Sequence, residues 1–230
     1  STRREPAPTP RGRGGGMLSS GSSARCLLAS SMAVGLAASA AVAPEPPVEL
    51  PGGWSVLGAR AGAVRAHLGI DYAMTARWTA PAPVHWDRGS VVNATTFGPS
   101  CHGIDPASVE GGVSEECLNL NVWSSVPTEE EQQRGKGSTA ALAPVFVWLH
   151  GGCFTGGSAN EQDWNATNLI EHLRRQGRPA VVVTVNFRLG VFGHLASDAL
   201  RSGSPASNST GNYAMQDQRE ALRWVRTNIA

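Results

Sequence analysis

The chain has 230 residues, a formal net charge of +1 and charged side chains at 16% of its positions. That length suffices for one domain with a core of its own, and the near-neutral balance offers no basic face to nucleic acid. Its four cysteines, Cys26, Cys101, Cys117 and Cys153, include no C-x-x-C pair, so the sequence supplies no structural zinc spacing and no metal site is expected.

Residues 1–16, "STRREPAPTPRGRGGG", carry Arg, Pro and Gly without an apolar period. Such a composition buries no core, and the segment is expected to be disordered or to lie upstream of the protein proper. At Met17 the character changes. "MLSSGSSAR" is short and polar, "CLLASSMAVGLAASAAVA" is apolar and built of small residues, and "PEPP" follows. This pattern predicts a secretory signal peptide over 17–43, with cleavage near Ala40 or Ala43. A membrane anchor is the alternative, disfavoured because Ala, Ser and Gly make the run weakly apolar. A lipoprotein-type use of Cys26 is a third.

From residue 44 the chain reads as one globular unit. "WSVLGARAGAVRAHLGIDYA" breaks at glycines into short strand-like pieces and predicts a small β-meander. "LNLNVW" (118–123) alternates apolar and polar, the pattern of a half-buried strand. "PTEEEQQRGKGSTA" (127–140) predicts a solvated loop. "PVFVWLH" (144–150) and "AVVVTVN" (180–186) are nearly continuous apolar runs, expected as strands covered on both faces. Between them "ATNLIEHLRRQG" places Leu169, Ile170 and Leu173 on one helical face and stops at Gly177. A strand, helix, strand unit of this kind is a right-handed crossover. "YAMQDQREALRWVRTNIA" closes the chain as a helix, with Ala214, Ala221, Leu222, Val225 and Ile229 at helical spacing. Asn93, Asn165 and Asn208 each open an Asn-x-Ser/Thr triplet, the acceptor pattern for N-glycosylation.

The run "PVFVWLH" leads directly into "GGCFTGG". A backbone this bare after a buried strand lets amide N–H groups converge on a developing oxyanion, because no side chain blocks the approach. His-Gly-Gly-x after a strand is also the oxyanion-loop pattern of α/β-hydrolases, although a plain glycine turn would look the same.

Seven segments then occur in one order: "GIDYA" (69–73), "RW" with "PAP" (77–83), "NATTFGPSC" (93–101), "SEECLNLNVW" (114–123), "PVFVWLHGGCFTGGSAN" (144–160), "VVVTVNFRLGVFGHLA" (181–196) and "GNYAMQDQREALRWVRTNIA" (211–230). In them the chain resembles the type-B carboxylesterase/cholinesterase-like family over about residues 52–230. The resemblance implies an α/β fold of the α/β-hydrolase type: the N-terminal part of a mixed, mostly parallel central sheet with flanking helices. It implies hydrolysis of a small-molecule or lipid ester through an acyl-serine intermediate, without metal or organic cofactor, in a secreted protein with no stable membrane span.

By the same resemblance the oxyanion amides fall on Gly152 and Cys153 with Gly151 beside them. Cys101 pairs with Cys117 in a disulfide, and Arg77–Glu115 and Arg188–Asp217 form structural salt bridges. Cys153 stands where Gly is commonest, and its amide can still donate. Trp78, Trp86, Trp123 and Trp148 are expected in the core. The 101–117 loop contains no Trp, Tyr or Phe, which disfavours a choline-specific enzyme. The Gly-x-Ser-x-Gly elbow does not occur in these 230 residues, so the nucleophile and its triad partners are expected beyond Ala230. The chain is therefore expected to be an N-terminal fragment, inactive alone and with an open sheet edge. A catalytically inactive cholinesterase-like adhesion or binding protein is the alternative, and a truncated gene model a third.

Overall fold

The computed structural model describes residues 43–126, 143–202 and 210–229, all within one unit spanning Ser39–Ala230. The expected leader up to Val42 with Cys26, the charged loop 127–140 and the sequon at Asn208 lie outside the described residues.

In chain order the strands are β1 (Ala43–Pro44), β2 (Val48–Leu50), β3 (Trp54–Leu57), β4 (Ala59–Ala61), β5 (Val64–Asp71), β6 (Ala73–Met74), β7 (Ala82–Pro83), β8 (Val91–Asn93), β9 (Asn119–Ser125), β10 (Val145–Leu149) and β11 (Val181–Val185). The helices are α1 (Thr167–Arg175), α2 (Gly190–His194), α3 (Asp198–Ser202) and α4 (Tyr213–Asn228). The main sheet has six strands in the order β1-β4-β5-β9-β11-β10. A second sheet has the order β2-β3-β8.

The expected meander is divided between these two sheets. β3 pairs with β2 and β8, whereas β4 turns back on β5. The chain changes sheets at Gly58, where an added Cβ would lie 2.5 Å from the His67 ring and 2.8 Å from the Ala66 carbonyl oxygen. Only glycine admits that approach.

The six-stranded sheet is mixed. β10 and β11 pair in parallel, Val145 opposite Val181 through Leu149 opposite Val185. α1 forms the crossover between them. β11 meets β9, β9 meets β5, and β4 meets β5 and β1, all antiparallel. The parallel character expected of the sheet is confined, among the described strands, to the one pair that a crossover helix joins.

β11 is apolar but for Thr184, whose hydroxyl bonds to Ala159 O at 3.1 Å, because it is covered on both faces. Val183 and Val185 join the cluster of Leu120, Val122, Ala221, Trp224 and Val225, under α4. Val182 faces the other way, with Ala166, Ile170 and Trp123 under α1. Gly177 takes φ 68° and ends α1 with Arg178 N–H bonded to Leu173 O at 3.0 Å, a glycine C-terminal stop.

Three packing expectations are corrected. β9 is not half-buried: Asn119 through Trp123 are all buried, since its polar side faces α1 and residues 158–160 and not water. β10 is not covered on both faces. Val145 and Val147 pack against the core, but Phe146 and Trp148 are 56% and 43% exposed, because β10 is the outermost described strand. Among the four tryptophans expected inside, Trp123 is fully buried and Trp78 and Trp86 are half-buried. Both helices keep most of their expected faces, with Leu173 packed beside buried Ile170 and with Ala214, Ala221 and Val225 buried. On α1 Ile170 points inward while Leu169 is exposed. On α4, Tyr213 and Trp224 are buried and Leu222 is exposed.

Candidate active site

The glycine loop starts where β10 ends. His150 is buried and its ring stacks on Phe187, with centroids 4.4 Å apart and planes 9° apart. Its Nδ1 lies 2.9 Å from the Gly151 carbonyl oxygen. A carbonyl only accepts, so Nδ1 carries the proton and donates. Burial lowers the imidazole's pKa, against the opposing pull of that carbonyl and of the Glu161 charge.

Beyond it the chain folds into a tight turn around one acceptor. The Gly152 carbonyl oxygen receives Thr155 N–H at 3.0 Å, Gly156 N–H at 3.2 Å and the Thr155 hydroxyl at 3.1 Å. Every peptide here is trans. In a trans peptide the C=O and the following N–H point in opposite directions. Since the Gly152 carbonyl points into the turn, the Cys153 N–H points out of it. By the same reasoning, the Gly151 carbonyl points at His150 and the Gly152 N–H points away from it. Among the described residues neither amide has a hydrogen-bond acceptor. The loop thus presents two adjacent, unpartnered amides.

Backbone geometry explains the glycines. Gly152 has φ 113° and Gly157 φ 99°. A Cβ on Gly152 would drive into the Gly156 carbonyl, and one on Gly157 into the Gly151 carbonyl. Cys153 (φ 52°) and Phe154 (φ 60°) hold left-handed conformations without being glycine. The Cys153 thiol is free and exposed.

The loop is anchored from several sides. Gly190 N–H donates to Phe154 O at 2.6 Å. The Phe154 ring packs edge-on to His194 at 5.2 Å and lies 6.3 Å from Phe187. At the exit, Asn186 Oδ1 accepts from Ala159 N–H at 2.9 Å and from the Ser158 hydroxyl at 3.1 Å. Asn160 Nδ2 donates to Gly98 O at 2.7 Å, and its Oδ1 accepts from Asn121 at 3.1 Å. Asn119, Asn121, Asn160 and Asn186, all buried, form a polar lattice beneath the loop. Sequence reasoning passed over it. The available signal was the repeated Asn of "LNLNV" and the Asn that ends "AVVVTVN".

The residues carried over from the family resemblance lie around this loop. Cys101 and Cys117 are joined in a buried disulfide with Cα atoms 5.0 Å apart. Their segment touches the glycine loop. Ser100 and Ser158 hydroxyls are 2.6 Å apart, and a Cβ on Gly103 would sit 2.7 Å from Thr155 O. Arg77 forms a bidentate pair with Glu115, Nε to Oε2 at 2.8 Å, on the surface. Arg188 and Asp217 are both buried and bonded three times: backbone N–H at 3.1 Å, Nε at 2.9 Å and Nη2 at 2.7 Å. Desolvation raises the Asp217 carboxyl, against the bonds and charge of Arg188 that hold it down. Arg188 Nη1 also donates to Thr79 O at 2.8 Å, tying the 75–79 strap to α4. Asn93 and Asn165 are exposed, and their side-chain oxygens cap Thr95 N–H and Thr167 N–H.

A sequence profile described as the carboxylesterase family matches residues 45–230. The chain belongs to the carboxylesterase family. It is 37% identical over 184 residues to an inactive carboxylesterase-like protein of Byssochlamys spectabilis, covering 76% of this chain and 29% of that protein. It is 36% identical over 175 residues to a fumonisin B1 esterase of Sphingopyxis macrogoltabida, covering 73% of this chain and 29% of that one. Among solved structures, a Geobacillus stearothermophilus carboxylesterase superposes with a TM-score of 0.60 at 33% identity, over 80% of this chain and 35% of its own. The α/β-hydrolase fold expected from the sequence is thereby shown. This carboxylesterase-family chain spans less than a third of the length of these curated relatives. No helix among the described residues is long and apolar enough to cross a membrane.

Proposed function

We propose that the protein is a serine hydrolase of carboxylic esters and that this chain supplies its oxyanion hole. The observation that carries the reading is the pair of unpartnered amides at Gly152 and Cys153, aimed out of a turn whose carbonyls face inward. As a nucleophile adds to an ester carbonyl, charge develops on the oxygen. Fixed N–H donors stabilise that charge more than they stabilise the neutral substrate. The hole is preorganised because Gly152 carries three bonds on one oxygen and the loop is pinned at both ends. The attacking serine, its histidine base and the acid that orients the base are supplied from outside this chain. The substrate is an ester of a small molecule or lipid.

The test is turnover of short-chain p-nitrophenyl esters by the full-length protein, with mass analysis of the trapped acyl-enzyme. The expected result is saturable hydrolysis that persists in Cys153→Ala, with the acyl group on a residue other than Cys153. Absence of turnover would overturn this reading. It would favour the second one, a fold kept without catalysis, for which the match to an inactive carboxylesterase-like protein is the motivating observation.

Secretion completes the proposal. A leader starting at Met17, the Cys101–Cys117 disulfide and exposed sequons at Asn93 and Asn165 suit an oxidising export route, and Asn208 is the third acceptor. Glycosidase treatment of protein secreted from a eukaryotic host should lower its mass. An unchanged mass would overturn the glycan assignment.

A further inference from the structure

Three anchors of the glycine loop belong to one five-residue segment, residues 186–190, which follows β11. Phe187 stacks on His150 at the loop entry, Gly190 N–H holds Phe154 O in the middle, and Asn186 holds Ser158 and Ala159 at the exit. Asn186 is the member whose chemistry admits no substitute. Its Oδ1 accepts twice, from Ala159 N–H and the Ser158 hydroxyl. Its Nδ2 donates to Asn119 Oδ1 at 3.0 Å and reaches Asn160 Oδ1 at 3.4 Å. Those two oxygens can only accept, because the Nδ2 groups of Asn119 and Asn160 are committed to Pro99 O at 2.8 Å and Gly98 O at 2.7 Å. An aspartate here would face acceptors with a carboxylate, and an apolar side chain would leave the Ala159 N–H and Asn119 Oδ1 without a partner and take one contact each from the Ser158 hydroxyl and Asn160 Oδ1. The backbone of Asn186 is fixed in turn, since its carbonyl receives the buried Tyr72 hydroxyl at 2.8 Å and its N–H donates to Asn119 O at 3.0 Å.

We infer that Asn186 is a positioning residue of the oxyanion hole: its amide fork fixes the loop exit against β11 and so sets where the Gly152 and Cys153 amides point. The inference rests on the esterase reading above and adds a residue that touches neither substrate nor nucleophile.

The test uses the full-length protein, with Asn186→Ala and the milder Ser158→Ala compared with the parent. In Asn186→Ala, kcat per folded molecule is expected to fall about 10- to 100-fold with KM within about twofold, as for a misplaced transition-state contact. Affinity for an aryl trifluoromethyl ketone, whose enzyme adduct carries the oxyanion, should fall with kcat. Hydrogen exchange read by mass spectrometry at Thr155 and Gly156 should accelerate about tenfold, the size expected from losing one or two buried hydrogen bonds, while α4 exchanges as before. A variant that only melts earlier, with kcat, ketone affinity and loop exchange unchanged, overturns the inference. If Asn186→Ala does not fold, Ser158→Ala carries the same expectations in smaller degree, and parental values there overturn it. A parent without esterase activity defeats the proposed function alone. Loop exchange then decides the positioning role: selective acceleration over 150–157 supports it, and no change or uniform acceleration overturns it.

Discussion

Cys153 holds its backbone at φ 52°, a region that costs an L-residue about 1–2 kcal/mol. Glycine would remove that cost and add roughly 0.5–1 kcal/mol of unfolded-state entropy to be lost on folding. Cys153→Gly is therefore expected to stabilise the protein by about 0.5–1 kcal/mol, read as a higher urea midpoint at unchanged m-value. A lower midpoint would mean that the exposed sulfur makes a contact worth more than the strain. His67 gives a second prediction at this scale. Burial, reinforced by Arg65, pushes its imidazole down to about 4, and among the described residues its buried Nε2 has no partner. The unfolded chain binds this proton near pH 6.5 and the folded chain near 4, so folding releases it. The contribution is complete above about pH 6.5 and is lost as the pH falls toward 4. Between pH 6.5 and 4.5 the parent should lose about 2–3 kcal/mol more stability than His67→Phe. Parallel pH profiles for the two proteins would show that His67 is solvated in solution.

At the scale of elements, the two family ion pairs do different work. Arg188–Asp217 joins the end of β11 to α4 with both partners buried. Removing one partner leaves a buried charge uncompensated, and Asp217→Ala should cost about 3–5 kcal/mol, or fail to fold, by denaturant unfolding. Arg77–Glu115 lies at the surface, where solvent screens it, and Arg77→Ala should leave the unfolding midpoint nearly unchanged. Equal losses in the two variants would contradict the burial argument. The Asn lattice belongs to this scale as well. It lets β9 run through the middle of the sheet with two amide side chains inside, each satisfied by a neighbouring element.

For the whole molecule, the outermost strand is the feature with consequences. Phe146 and Trp148 on β10 and Leu169 on α1 form an exposed apolar groove of about 370 Å³, beside a strand whose outer edge is unpaired among the described strands. Such an edge is a template for association. Residues 44–230 expressed alone should sediment as oligomers or aggregate, and Phe146→Lys with Trp148→Lys should shift them toward monomer. A monomeric parent piece with cooperative unfolding would show that the groove is tolerated in water.

The sequence by itself determined the family, the crossover unit of β10, α1 and β11, the glycine stop of α1 and the position of the glycine loop after β10. These are legible because they rest on local chemistry: continuous apolar runs, glycines where no Cβ fits, and motifs in a set order. Tertiary structure alone decided which faces are wet. "LNLNVW" alternates like a surface strand, yet its asparagines are inside, because their partners come from residues 69, 99, 160, 184 and 186, which no local window brings together. "VFVWL" reads as fully buried, yet three of its five residues are exposed, because covering a strand depends on its neighbours and not on its own composition. The direction of the Cys153 amide was equally invisible. It follows from three donors converging on the Gly152 oxygen, and that convergence exists only once the turn has closed.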